Sequence, residues 1–112
     1  MKVCDLTQKK CQPCEGGVPV LTEDEAKNLL SKIPNWSLSD DGKIITRHFS
    51  FKGFNKVMGF INAIAWIANQ EQHHPDVKYG YNYCDVSFTT HAIDGLSEND
   101  FICASKIDAL LD

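Results

Sequence analysis

The sequence predicts an α+β domain in which an antiparallel four-stranded sheet carries helices on one face, giving two layers with the element order α-β-β-α-β-β-α. Three observations lead to this prediction. Helical and strand-like segments alternate as helix, strand pair, helix, strand pair, helix. Each strand pair is joined by a short turn, as antiparallel neighbours are. The chain has 112 residues, 43% of them hydrophobic, which is the size and apolar content of one domain.

The first helix opens with a capping box. Thr22 is followed three residues later by Glu25, the spacing at which each side chain accepts a hydrogen bond from the other residue's backbone N–H. Apolar residues then recur at helical spacing, and Pro34 stops the helix. These apolar residues are Ala26, Leu29, Leu30 and Ile33. The prediction is a short amphipathic helix.

A hairpin follows the first helix. Residues 36–38 and 43–51 favour extended structure, and the turn signal Asp40-Asp41-Gly42 lies between them. His48 lies in the second of these strands without a polar partner nearby in the sequence. It is interpreted as a solvated strand residue and is given no functional role.

Residues 54–70 form the longest predicted helix, and its apolar surface is wide. Two neighbouring stripes carry the apolar side chains: Phe54, Val57, Met58, Ile61, Ala65 and Ala68 on one, and Phe60, Ile64 and Ile67 on the other. A surface this wide exceeds what one sheet face covers. It favours a subunit interface, and a helix deeply buried within one domain stays open as the alternative.

The second strand pair and the last helix complete the fold. Residues 76–79 form a short strand, Gly80 turns the chain, and residues 81–90 alternate with a period of two. Ser97 and Asp100 repeat the spacing of a capping box before the last helix. The apolar side of that helix consists of Phe101, Ile102, Ala104, Ile107, Leu110 and Leu111.

Composition and charge exclude several classes of function. The net charge of -4, without a block of lysine or arginine, disfavours direct binding to nucleic acid or to an anionic membrane. No apolar run reaches the length of a membrane span, and the N-terminus does not resemble a secretion signal. Five cysteines, an odd number, fit a reducing compartment better than a disulfide framework. The expected localisation is cytoplasmic.

Residues 1–20 are predicted to be a flexible arm that precedes a domain spanning residues 21–112. The arm contains Cys4, Cys11 and Cys14 together with Gly16-Gly17 and two prolines, and it has no apolar period. Its single C-x-x-C lacks the second pair that a zinc ribbon requires. The favoured interpretation is a loose tail with free thiols, and metal binding or redox chemistry is the alternative.

Three of the four histidines lie near the end of the longest helix and the end of the best strand. His73 and His74 follow the helix, and His91 comes seventeen residues after His74. Pro75 disfavours helical backbone at His74, so the pair lies where helix gives way to extended chain and both rings can face one cleft. An imidazole both gives and takes a proton near neutral pH. The cluster therefore predicts proton-transfer chemistry or a metal site.

The spacing of these residues is that of a known family signature. His73-His74-Pro75, Tyr81, His91 and Asp100 stand in register with the flanking runs Phe51-Lys52-Gly53-Phe54 and Gly95-Leu96-Ser97-Glu98-Asn99-Asp100-Phe101. Over about residues 20–112 the sequence resembles the pterin-4a-carbinolamine dehydratases (4a-hydroxytetrahydrobiopterin dehydratases).

The resemblance implies a hydro-lyase that needs no cofactor or metal. Such an enzyme removes water from a 4a-hydroxytetrahydropterin to give the quinonoid dihydropterin, and so recycles pterin for aromatic amino-acid hydroxylases. The same resemblance makes His73 and His91 the acid and base, in an order left open, and His74 the residue that holds and polarises the pterin. It leaves open which pterin and which pterin pathway the protein serves.

Three further positions are expected to bind substrate: Tyr81, Asp100 and Asn69. Asp100 could orient His91, meet the guanidine-like edge of the pterin, or cap the last helix through Ser97. Asn69 stands where many relatives carry an acid, four positions before His73, and it is expected to line the site. Glu71 is not, because two residues along a helix turn a side chain by about 200°.

The resemblance also implies a homo-oligomer, a dimer or tetramer assembled through helices. A non-catalytic module that dimerises or regulates a partner through the same helical face is the main alternative function. A third alternative is a zinc protein with His73, His74 and His91 as ligands and an open position for water. Adjacent histidines rarely aim both rings at one ion, so the sequence favours the dehydratase.

Overall fold

An antiparallel sheet of four strands forms one layer of the structure, and three α-helices form the other. The computed structural model describes residues 5–11 and 19–111. The predicted α+β class and element order are confirmed. The elements are α1 (Glu23–Leu30), β1 (Ser37–Leu38), β2 (Ile45–Ser50), α2 (Phe54–Glu71), β3 (Asp76–Tyr79), β4 (Tyr83–Phe88) and α3 (Glu98–Ala109), with short 3-10 helices at Asp5–Gln8 and His91–Ile93.

The two predicted hairpins meet through their second strands. The strand order is β1-β2-β4-β3, and the pairing of β2 with β4 runs from Ile45 opposite Phe88 to Ser50 opposite Tyr83. The period of two along β4 is observed, since Cys84, Val86 and Phe88 are buried in the core while the residues between them are half-buried. The helices therefore cover one face of the sheet, and the other face is polar.

Both predicted capping boxes form. The Thr22 hydroxyl accepts from the Glu25 N–H at 3.1 Å, and the Glu25 carboxylate accepts from the Thr22 N–H at 2.8 Å. Ser97 and Asp100 repeat the arrangement at the start of α3. Helix α1 ends at Leu30, three residues before its predicted end, because the chain tightens into a turn that still buries Ile33.

Helix α2 begins at the predicted residue and buries only part of its apolar surface. Its inner face consists of Val57, Phe60, Ile64 and Ala68, which join the core above the sheet. Trp66 points the other way and is 67% exposed. Within the described residues, none of the helices combines the length and apolar composition needed to cross a bilayer.

The start of the chain differs from the predicted loose arm over the residues that the structure describes. Leu6 is only 1% exposed and belongs to the core, and the 3-10 helix that contains it lies against α3. Lys9 pairs with Glu98 of α3 at 2.6 Å. The predictions for Cys4 and Cys14 concern residues that lie outside the described part of the chain.

Candidate active site

His73 lies just after α2 and is turned into the protein. Gln72 ends the helix in a left-handed conformation with φ 54°, which non-glycine residues adopt rarely and at a cost of about 1–3 kcal/mol. This residue reverses the chain, and the His73 N–H bonds back to the Ala68 carbonyl at 3.2 Å. The His73 ring is 6% exposed as a result. Strained backbone beside a buried titratable group is typical of functional sites.

Asp100 holds the His73 ring. The His73 Nε2 lies 2.6 Å from Asp100 Oδ1, and the Asp100 side chain is fully buried. A carboxylate accepts from N–H, so in the neutral ring the proton is on Nε2 and the lone pair on Nδ1. The sequence suggested His91 as the partner of Asp100, and the structure gives that partner as His73. The capping role predicted for Asp100 is present at the same time.

One hydroxyl group and one backbone amide bond the other oxygen of Asp100. Thr90 donates its hydroxyl to Asp100 Oδ2 at 2.8 Å, and the Ser97 N–H donates to the same oxygen at 3.0 Å. Because the Thr90 proton goes to Asp100, the Ser97 hydroxyl donates to Thr90 Oγ1, 2.8 Å away. Sequence reasoning gave neither Thr90 nor the Ser97 hydroxyl a role in the site, and only the capping spacing of Ser97 pointed to it.

The end of β4 supplies the wall of the site and leads to His91. Phe88 stacks on the His73 ring with centroids 5.8 Å apart and planes 9° from parallel. Two residues later Thr90 pairs with Gly95 across a short loop, and His91 is the first residue of the 3-10 helix inside that loop. His91 is exposed and directly follows the residue that bonds Asp100. The chain thus brings His73 and His91 to the same end of the sheet.

The other predicted site residues divide into two groups. His74 and Asn69 are exposed near the end of α2, close in the chain to His73. Tyr81 lies at the opposite end of that helix, lining a pocket of about 330 Å³ with Lys52, Gly53, Phe54, Asn55 and Lys56. A helix of 18 residues is about 27 Å long. Contact of Tyr81 with a substrate at His73 would therefore require a second subunit.

Glu71 faces away from the exposed side of this helix end. Its carboxylate lies 2.9 Å from Lys106 Nζ, accepts from the Cys11 N–H at 2.8 Å, and is nearly buried. Burial alone would raise the pKa of Glu71, but the bonds from Cys11 and Lys106 outweigh burial, and the pKa is lowered. Glu71 is thus engaged with α3 and the start of the chain.

A second histidine–aspartate pair lies on the polar face of the sheet. His48 Nδ1 is 2.5 Å from Asp85 Oδ1, and the two residues are directly opposite on β2 and β4. The Tyr83 ring stacks beside His48 at 6.0 Å. His48 is exposed, as predicted, but strand pairing supplies the polar partner that was missing nearby in the sequence.

The buried pair provides the elements of acid–base chemistry. A neutral imidazole fixed by a carboxylate takes up a proton at its other nitrogen and returns it when charged, with the carboxylate stabilising the charged form. A metal would need converging ligands, and no group of three His, Cys, Asp or Glu side chains in residues 5–11 and 19–111 has such an arrangement.

Comparisons with known proteins agree on one family. A family model described as pterin 4 alpha carbinolamine dehydratase matches residues 19–110. A Nitrosomonas eutropha protein named for pterin-4-alpha-carbinolamine dehydratase is 57% identical over 110 residues, which cover 97% of this chain and 96% of that protein. A Legionella pneumophila protein with the same kind of name is 56% identical over 108 residues, covering 96% of each chain.

Solved structures give the same result at the level of the fold. The transcriptional coactivator/pterin dehydratase from Brucella melitensis superposes with a TM-score of 0.80 at 35% identity, covering 84% of this chain and 100% of that one. A pterin dehydratase-like protein described as a RuBisCO assembly factor superposes with a TM-score of 0.60 at 21% identity, covering 68% of this chain and 88% of the other. The second likeness concerns the fold alone.

Proposed function

The chain belongs to the pterin 4 alpha carbinolamine dehydratase family and is a hydro-lyase, and we propose that His73 and His91 are the acid and base of its dehydration reaction. In a 4a-hydroxytetrahydropterin, the hydroxyl on C4a leaves as water when an acid protonates it. The neighbouring N5 loses its proton to a base as the C=N bond forms. One imidazole suffices for each transfer, and each contributes about 10²- to 10⁴-fold to the rate.

The buried contact between His73 and Asp100 carries the proposal. A hydrogen bond of 2.6 Å to a carboxylate that has two further donors on its other oxygen fixes both the orientation and the tautomer of the ring. A ring held in this way needs no reorganisation before it exchanges a proton with a bound molecule. A histidine kept only for packing would not require a buried carboxylate, held by two further donors, beside it.

We assign supporting roles to the neighbouring residues. His74 and Asn69, both exposed near His73, bind and polarise the pterin ring. Asp100 is fully buried and already accepts three hydrogen bonds, so its proposed role is to position His73 rather than to contact substrate. Tyr81 contributes to binding only if a second subunit brings it to this site.

The test is the rate of 4a-hydroxytetrahydropterin dehydration, measured by stopped flow or a coupled assay, for the wild type and the His73→Ala, His91→Ala double variant. Circular dichroism and denaturant unfolding verify that the variant is folded. Acceleration by the wild type that disappears in the folded variant supports the proposal. Wild-type protein that is folded yet does not accelerate the reaction would overturn it and favour the non-catalytic dimerisation or regulatory module.

The setting of the reaction forms a second part of the proposal. We place the enzyme in the cytoplasm, where the free thiols of Cys11, Cys84 and Cys103 are maintained, and we infer that its product returns to an aromatic amino-acid hydroxylase. The protein assembles as a dimer or tetramer through helices, which would cover the exposed Trp66 of α2. Light scattering gives the molar mass of Trp66→Asp and of wild-type protein in solution. An equal molar mass for both proteins would exclude the face around Trp66 as the subunit interface.

A further inference from the structure

Two cysteine sulfurs from distant parts of the sequence meet beside the end of α2. Cys11 Sγ and Cys103 Sγ are 3.5 Å apart, although 92 positions separate them in the chain. Cys103 is fully buried on α3, while Cys11 is half-buried at the surface. A disulfide bond is about 2.05 Å long, so the sulfurs would approach by about 1.5 Å to form one.

The surroundings hold Cys11 in this place. Its N–H donates to Glu71 at 2.8 Å, and its sulfur lies 3.6 Å from the Asn99 carbonyl, one turn before Cys103 on α3. Leu6, in the core, anchors the same segment five residues earlier. The close approach of the sulfurs thus rests on contacts with both α2 and α3.

We propose that Cys11 and Cys103 are a redox site at which a hydroperoxide forms a reversible disulfide, joining the N-terminal segment covalently to α3. The Cys11 thiol loses its proton as its sulfur attacks the peroxide oxygen. The O–O bond breaks, the sulfur becomes a sulfenic acid, and the departing oxygen takes the proton to leave as an alcohol or water. Cys103 sulfur then attacks Cys11 sulfur, loses its proton and releases water. Two thiols are oxidised and one hydroperoxide is reduced, and a small-molecule thiol reverses the change.

The environment of the two thiols sets the order of these steps. The hydrogen bond to Cys11 and burial both raise the pKa of Cys103, so this buried thiol keeps its proton and is not the first to react. Cys11 is also the thiol that an oxidant can reach. Burial raises the pKa of Cys84 to about 11, so this core cysteine serves as an internal reference that stays reduced.

The experiment treats folded full-length protein with a small excess of hydrogen peroxide and maps disulfides by mass spectrometry. Tryptic cleavage leaves Cys11 with Cys14 on one peptide and Cys84 with Cys103 on another. Additional cleavage before Asp85 separates Cys84 from Cys103. A Cys14→Ser variant leaves Cys11 as the one cysteine on its peptide. The expected result is a linked Cys11–Cys103 peptide in both proteins, absent in Cys103→Ser and lost on reduction.

Other results would overturn the proposal. A wild-type chain that links Cys11 to Cys14, or that forms only bonds between chains, excludes this site. So does a Cys11–Cys103 link that appears only in urea, or a folded protein in which Cys11 becomes a sulfinic acid without any link. Catalytic activity is not part of the readout, so the result is independent of the roles proposed for His73 and His91.

Discussion

The molecule contains two histidine–aspartate pairs that differ chiefly in burial. In the first pair, His73 and Asp100 have side chains 6% and 0% exposed, and two further donors bond the carboxylate. In the second, the side chains of His48 and Asp85 are 58% and 31% exposed. Exposed ion pairs contribute about 0–1 kcal/mol, whereas breaking a buried pair costs several times more. The same two residue types thus form a buried, fixed pair at His73 and an exposed contact at His48.

The largest expected difference is in the reaction rate. Replacing His73 by alanine should lower the dehydration rate by about 10²- to 10⁴-fold, because the proposed acid or base is lost. The matched change His48→Ala should leave the rate within about twofold, as this exposed ring is assigned no chemistry. Initial rates at saturating pterin for the two folded variants decide the matter, and equal losses would contradict the comparison.

Stability should separate the two aspartates. Asp100→Asn weakens the buried hydrogen bonds that the carboxylate accepts from His73, Thr90 and Ser97, and it is expected to lower the free energy of unfolding by about 1.5–3 kcal/mol. Asp85→Asn should change it by less than about 1 kcal/mol. Urea denaturation of both variants gives the two values. A similar small loss for each would mean that burial adds nothing to the inner pair.

The hydroxyl groups around the pairs offer a finer test. Thr90→Val removes one donor to Asp100 and leaves the Ser97 hydroxyl without its acceptor, so it should cost about 1–3 kcal/mol and reduce the rate. Thr90→Ser keeps the hydroxyl and should therefore retain most of the stability and most of the reaction rate of the wild type.

On the polar face, Thr46 and Ser87 form a comparable hydroxyl pair at 2.9 Å. Thr46→Val provides the matched control, with an expected loss of less than about 1 kcal/mol. Failure of Thr90→Ser to recover the rate would show that the methyl group of Thr90, not its hydroxyl, matters for the site.

The smallest expected effect is on the pH dependence of stability. It extends the comparison to Glu71, a carboxylate paired with Lys106. The folded state lowers the pKa of Glu71, so its contribution to stability is present above the unfolded value of about 4.3 and is lost as the pH falls through the folded value. Wild-type protein should therefore lose stability below about pH 5 more steeply than Glu71→Gln.

The exposed Glu98, which pairs with Lys9, supplies the control for this measurement. Urea midpoints are measured between pH 3 and 6 for wild type, Glu71→Gln and Glu98→Gln. Because exposed ion pairs contribute only about 0–1 kcal/mol, the larger departure from wild type is expected for Glu71→Gln. If the urea midpoint fell with pH equally steeply in all three proteins, the predicted contribution of the Glu71 carboxylate would be refuted.

Features set by neighbouring residues could be predicted from the sequence, and contacts between distant residues could not. The capping boxes of Thr22 and Ser97 depend on a spacing of three residues, and both form. The partners of the histidines depend on strand register and helix placement: 27 positions separate His73 from Asp100, and 37 separate His48 from Asp85. Proximity in the sequence therefore suggested His91, nine residues away, as the partner of Asp100. The fold instead places Asp100 beside His73.

The start of the chain illustrates the same limit. Leu6 is buried and Cys11 meets Cys103, yet this segment has no periodic pattern, because a short 3-10 turn needs only one apolar anchor. A composition of glycine, proline and cysteine predicts a loose tail whether or not a groove for that anchor exists on α3.

One carboxylate oxygen of Asp100 accepts the Ser97 N–H at the first turn of α3, and the other accepts His73. We therefore expect the opening of that turn to release the imidazole in the same local unfolding event. Amide hydrogen exchange at Ser97 should report the free energy of this event directly, without substrate. The fraction of molecules in which Asp100 holds the His73 ring can thus be measured as a protection factor.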